Sequence, residues 1–169
     1  MLKINNNEFQ VSNSELNFRS RNYQGQTIVS IQGVMGFYPR QIGEQIVNGT
    51  IEFVFDTSSF ISLDELSNQT YEEGKLELAL SKNGLWERET IYNVVAAFGE
   101  RNGNKIPVKI SLEKHGIAID VELVMVSLYT TSTSEEQLKK SFNMNDFYEM
   151  PIRKKIQDHE VLKYIVKAE

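Results

Sequence analysis

Cysteine is absent from this chain of 169 residues, which removes disulfides, thiolate metal sites and a cysteine nucleophile together. Histidine occurs only at His115 and His159, and proline only at Pro39, Pro107 and Pro151. With no Pro/Ser-rich linker and no repeat, the length suits one domain over residues 1–169. It divides into a β core over 1–131 and a helical appendage with a closing strand over 132–169. The longest near-apolar run, Leu123 to Tyr129, is far short of the roughly 18 residues a membrane helix needs. Met1 to Val11 alternates polar and apolar residues and lacks the charged start and apolar stretch of a secretion signal. The chain therefore reads as cytoplasmic, from a bacterium or its virus, with no membrane partner.

Motifs that carry chemistry are missing too. There is no phosphate-cradling glycine loop, no His-Glu-x-x-His and no calcium-loop spacing. His115 falls at an expected hairpin tip, and His159 stands between Asp158 and Glu160. Neither has a serine in a sharp glycine-flanked turn nearby, so no nucleophilic triad can be assembled. The expectation is no cofactor, no metal and no enzyme. Clustered basic charge is equally scarce. Arg153, Lys154 and Lys155 form the only basic run and acids flank it, so nucleic acid is not an expected partner.

What is present is acidic charge in the middle and alternation in the second half. Residues 41–100 hold eleven acids against three bases, while the other segments are near neutral or slightly basic. Period-two alternation from about 75 to 130, broken by glycine turns, predicts a four-stranded antiparallel meander. Closing a two-residue hairpin at His115-Gly116 pairs Leu112 with Ile119, Ile110 with Val121 and Val108 with Leu123. It also sets Lys109 against Glu122 and Ser111 against Asp120, so apolar meets apolar on one face and polar meets polar on the other.

A second turn at Asn102-Gly103 pairs Ala97 with Val108 and Val95 with Ile110. A third at Asn83-Gly84 has two registers. A two-residue loop opposes Leu78 and Leu80 to Glu89 and Glu87. A three-residue loop Lys82-Asn83-Gly84 sets Leu80 against Trp86 and Leu78 against Arg88, and is preferred although Glu77 then faces Glu89.

Shorter strands are expected at Leu2–Ile4, Phe9–Val11, Leu16–Phe18, Ile28–Phe37 and Thr50–Asp56, with 38–48 unassigned. Ser62-Leu-Asp-Glu65 is a capping box opening a helical turn over 63–68, and Thr133-Ser-Glu-Glu136 opens a helix over about 134–143, within a helical segment of about 134–150. Residues 159–167 fit either a helical stripe or an alternating strand, and β-branched and aromatic content favours the strand. The architecture that follows is mainly β: an antiparallel β-sandwich or flattened barrel.

The polar face of the meander collects Trp86, Arg88, Tyr92, Lys109, Ser111, Glu113, Asp120 and Glu122, with Tyr92 across from Glu113 and a shallow dip at Ala96. An aromatic platform ringed by hydrogen-bonding groups is a binding-site pattern, and it is equally the wet side of a half-buried sheet. The leading expectation is a non-enzymatic protein-binding module, an immunity or inhibitor protein or a phage or mobile-element accessory protein, that docks a basic partner through its acidic middle. The alternatives are a carbohydrate- or small-ligand-binding sandwich using Trp86 and Tyr92, and a structural subunit of an assembly. A hydrolase would have to use Asp120 with Glu122, or Glu87 with Glu89, as its carboxylate pair.

Overall fold

The computed structural model describes residues 1–57, 63–112, 116–132, 152–155 and 160–167. Its strands are β1 (Leu2–Ile4), β2 (Asn7–Phe9), β3 (Val11–Tyr23), β4 (Gln26–Ile42), β5 (Gln45–Thr57), β6 (Thr70–Lys82), β7 (Leu85–Phe98), β8 (Lys105–Leu112), β9 (Ile117–Ser132) and β10 (Ile152–Lys155). Among the described residues two short helices join them, α1 (Leu63–Leu66) between β5 and β6, and α2 (Glu160–Lys167) after β10.

The chain is mainly β, and strands β3 to β9 close into a barrel. Each pairs antiparallel with the next in sequence, and β9 returns to lie parallel to β3. The parallel closure corrects the expectation of an antiparallel sheet throughout, and its cause is parity. A ring with an odd number of alternating strands must bring its first and last strands together running the same way. β1 and β2 extend outward from β9, and β10 lies parallel to the first part of β7.

The barrel interior is filled by side chains. Phe53 is fully buried, with Phe55 at 5.6 Å and Phe98 at 6.2 Å between ring centroids in edge-on contacts. Gly33 lies opposite Phe53 in the ladder, and a Cβ there would meet the ring at 2.2 Å. Only a residue without a side chain lets the ring lie across the strand. Pro39 fits inside β4 because the ladder to β5 slips between Phe37 and Arg40, and Gly43, with φ of 59°, turns the chain into β5. Residues 38–48, unassigned from sequence, thus form the end of one hairpin.

All three hairpin registers differ from the sequence expectation. At β8–β9 the pairs are Leu112–Ile117, Ile110–Ile119, Val108–Val121 and Lys109–Asp120, a shift of two residues. An even shift keeps every side chain on its face and changes only its partner. At β7–β8 the shift is one residue: Ala97 faces Lys109 and Phe98 faces Val108. Consequently Val94, Ala96 and Phe98 point inward, while Ala97 is exposed and Val95 half-buried. The cause is Asn93, with φ of 59°, which bulges unpaired from β7 between the Tyr92–Lys75 and Val94–Gly74 pairs and reverses which residues of β7 face inward.

At β6–β7 the two-residue loop wins. Asn83 and Gly84 both have positive φ, Lys82 pairs with Leu85, and Glu87 and Glu89 lie opposite Leu80 and Leu78 on the inward face. The acids are tolerated there because α2 closes that end of the barrel. Glu87 Oε2 accepts a hydrogen bond from the Val161 N–H at 3.1 Å, which places a carboxylate on the positive end of the helix.

Residues 160–167 are therefore helical, not the closing strand that β-propensity favoured. Helical spacing puts Val161, Leu162 and Ile165 together into the barrel mouth. Tyr164 donates its hydroxyl to the Ile42 carbonyl at 2.6 Å, and the Asn7 side-chain amide donates to the Ile165 carbonyl at 2.6 Å. That second bond satisfies a last-turn carbonyl with no partner inside the helix. α1 forms where the capping box starts, over Leu63–Leu66. The expected helix over 134–143, the segment to 150, and the tip residues Glu113 and His115, together with His159, lie outside the described residues.

Candidate functional site

The proposed binding face divides into two parts. Trp86 and Arg88 are half-buried on the outer side of β7, opposite Ser81 and Ala79, and β10 pairs with the backbone at both positions. Tyr92, further along the same face, is 67% exposed and lies across from Lys75, not Glu113. Tyr92 lies six strand positions beyond Trp86, roughly 20 Å away, so they do not form one stacking platform. Ala96 leaves no dip, because it is inside the barrel.

The second part lies on β8 and β9. Glu8, Lys3, Asp120 and Lys109 follow one another across β2, β1, β9 and β8 in a row of alternating charge. Ser111 stands opposite Ala118, and Glu122 opposite Pro107. Lys109 and Glu122 are exposed, and no ion pair closes along this row among the described residues. A groove of about 360 Å³ runs beside it, lined by Met1, Lys3, Glu8, Pro107, Lys109 and Asp120 among others. A second, of about 500 Å³, lies between Glu8, Phe9, Tyr38 and Arg40, with the Arg40 guanidinium 5.4 Å over the Phe9 ring.

Neither carboxylate pair considered for hydrolysis is assembled for it. Asp120 and Glu122 are two positions apart on an open face, with Asp120 between Lys3 and Lys109. Glu87 and Glu89 are buried beneath the helix that Glu87 caps. Among the described residues no three His, Cys, Asp or Glu side chains converge as metal ligands, and no helix is long and apolar enough to cross a membrane.

A different carboxylate pair emerges on the outer side of β5 and β6. Glu52 and Glu77 are direct cross-strand partners, only 1% and 5% exposed. Glu77 is well provided: Thr90 donates to Oε1 at 2.9 Å, Lys75 Nζ lies 3.3 Å from Oε1, and an Arg88 nitrogen lies 3.4 Å from Oε2. Glu52 Oε1 accepts a hydrogen bond from the Gln32 side-chain amide, and Oε2 has no hydrogen-bond partner among the described residues. Burial pushes the Glu52 carboxyl up to about 7. The Gln32 hydrogen bond opposes the rise, Glu77 adds to it, and the Lys75 charge opposes it. Sequence alternation places Glu52 outward, between Ile51 and Phe53, but nothing local marks it as buried.

The acids of residues 41–100 fall into distinct places. Glu52, Glu77, Glu87 and Glu89 are buried in the barrel wall. Asp56, Asp64, Glu65, Glu72, Glu73 and Glu100 are exposed, and all belong to the barrel end that carries α1: the end of β5, α1 itself, the start of β6 and the residue following Gly99. Among the described residues Arg101 and Lys105 are the exposed bases beside them, and Arg101 is already paired to Asp64 at 2.6 Å. Only Glu44 is exposed at the opposite end, where α2 sits. The acidic middle of the sequence becomes an acidic rim.

No protein-family model, curated protein or solved structure matches this chain.

Proposed function

We propose that this protein is a non-enzymatic binding module that docks a basic protein partner on the acidic rim at the α1 end of the barrel. The reading rests on one observation: among the described residues, six exposed carboxylates gather at that end against two exposed bases, one of them already paired. Such a field speeds encounter with a positive partner and penalises an acidic one. An immunity or inhibitor protein for a basic enzyme, or an accessory protein of a phage or mobile element, would use a surface of this kind. Side chains filling the barrel support the same reading, since they leave the outer surface and the rims for recognition.

The test is a pull-down from the native source with two baits, the unaltered protein and the Glu65→Lys, Glu72→Lys, Glu73→Lys triple variant, analysed by mass spectrometry. The expected result is a basic partner held at low salt, weakened as ionic strength rises past about 0.15 M, and lost with the variant. A partner held equally by both baits at every salt concentration would exclude the rim.

A further inference from the structure

The outer face of the barrel wall carries a row of side chains in register across β3 to β7: Glu15, Val34, Glu52, Glu77 and Thr90. Glu52 and Glu77 are neighbours in it, and both are almost wholly out of water. Two carboxylates so placed cannot both ionise without a cation for each. The cations are distributed unevenly. Lys75 and Arg88 both reach Glu77, and neither forms an ion pair with Glu52. From β4, Glu52 meets only the neutral amide of Gln32. On its own strand Asp56 stands two rows away, hydrogen-bonded to Ser30 at 2.6 Å, and on β3 Glu15 shares the row while Arg19 lies opposite Ser30. Among the described residues, then, the groups around Glu52 offer a second negative charge and no paired positive one.

We propose that Glu52 and Glu77 hold a single negative charge, with the proton on Glu52, and that loss of this proton is a pH-sensitive switch that loosens the β4–β5–β6 wall. The proton occupies the carboxyl whose Oε2 is otherwise without a partner, and the charge stays on Glu77, where three donors hold it. Raising the pH removes the proton to solvent and leaves two adjacent buried anions served by one set of cations.

The direction follows from linkage. The carboxyl takes up protons more readily folded, at about 7, than at its ordinary value of 4.5. Its contribution to stability is therefore complete below about 4.5 and is lost as pH rises through that value to about 7.

The experiment compares the full-length protein with Glu52→Gln, which keeps the shape and cannot ionise. Carbon-13 labelling of glutamate side chains should reveal one carboxyl titrating near 7 that is absent from Glu52→Gln. Across the same range the folded-to-unfolded ratio of the unaltered protein should fall, relative to the variant, by roughly tenfold per pH unit. Its β5 and β6 amides should also exchange faster above neutrality than those of the variant. Parallel pH profiles for the two proteins, or a Glu52 signal titrating in the ordinary carboxylate range, overturn the proposal. If Glu52→Gln does not fold, Glu77→Gln serves in its place. Removing the like charge should move the Glu52 titration to lower pH, and an unmoved midpoint overturns the shared charge.

Discussion

The outer surface of the barrel has two sides built on the same alternation. On β1, β8 and β9 the outward charges Lys3, Lys109, Asp120 and Glu122 stand in or near solvent, opposite signs facing each other without closing an ion pair among the described residues. On β4 to β7 the outward polar groups Gln32, Glu52, Glu77 and Arg88 are buried or half-buried and joined by short contacts. The first side is a solvated face, where a charge contributes little because water screens it. The second is a low-dielectric layer, where each polar group needs a partner and a missing one shifts a proton. Charge pattern alone does not distinguish them. Burial does.

Four substitutions set the scale of this contrast, measured as unfolding free energies. Phe53→Ala removes the interior ring packed against Phe55 and Phe98 and should cost about 3–5 kcal/mol, the reference for true core. Glu77→Ala should cost about 2–3 kcal/mol, because Thr90 and the Arg88 and Lys75 cations lose a buried acceptor. A cost near zero would make the β4–β7 wall no different from the solvated side. Glu87→Ala removes the external cap of α2 and should cost about 1–2 kcal/mol, read also as faster proteolysis after β10. Lys109→Ala should stay within about 0.5 kcal/mol, and a larger loss would show that the charged row on β8 and β9 carries stability after all.

Legibility followed the same division. Which residues face inward on β8 and on β9 as far as Leu123 was readable, because alternation is uninterrupted over those residues and an even register shift preserves faces. On β7 it was readable only as far as Tyr92. Asn93 takes positive φ and shifts the inward set to Val94, Ala96 and Phe98, a choice made by the ring Phe98 must place against Phe53. The Asn83-Gly84 turn identified its hairpin and not its register. Burying Glu87 and Glu89 opposite leucines looks unfavourable until the N-terminus of α2, from the far end of the chain, is brought to Glu87. The same contact explains why residues with strand-like composition over 160–167 form a helix. A barrel mouth needs a compact plug with one apolar stripe, and tertiary burial outweighs a propensity difference of a few tenths of a kcal/mol.

The candidate binding residues that are described lie on outward faces, in separate places. Trp86 and Arg88 lie beside β10, Tyr92 stands apart, and Lys109, Asp120 and Glu122 belong to another side. The acidic excess of residues 41–100 was plain from composition. Its partition into four buried wall acids, six rim acids and Glu44 at the other end was not, since it depends on which strand ends share a rim.

The sequence by itself determined that this chain is mainly β, that hairpins turn near Gly84, Gly103 and Gly116, and which side of β8 and the start of β9 is apolar, because those properties depend on neighbours a few residues away. Tertiary structure alone decided that the strands close into a ring with one parallel seam, that the last residues coil into its mouth, and that Glu52 meets Glu77 out of reach of water. Those outcomes depend on groups tens of residues apart competing for the same enclosed space, and the free energy of excluding water is set only once they have met.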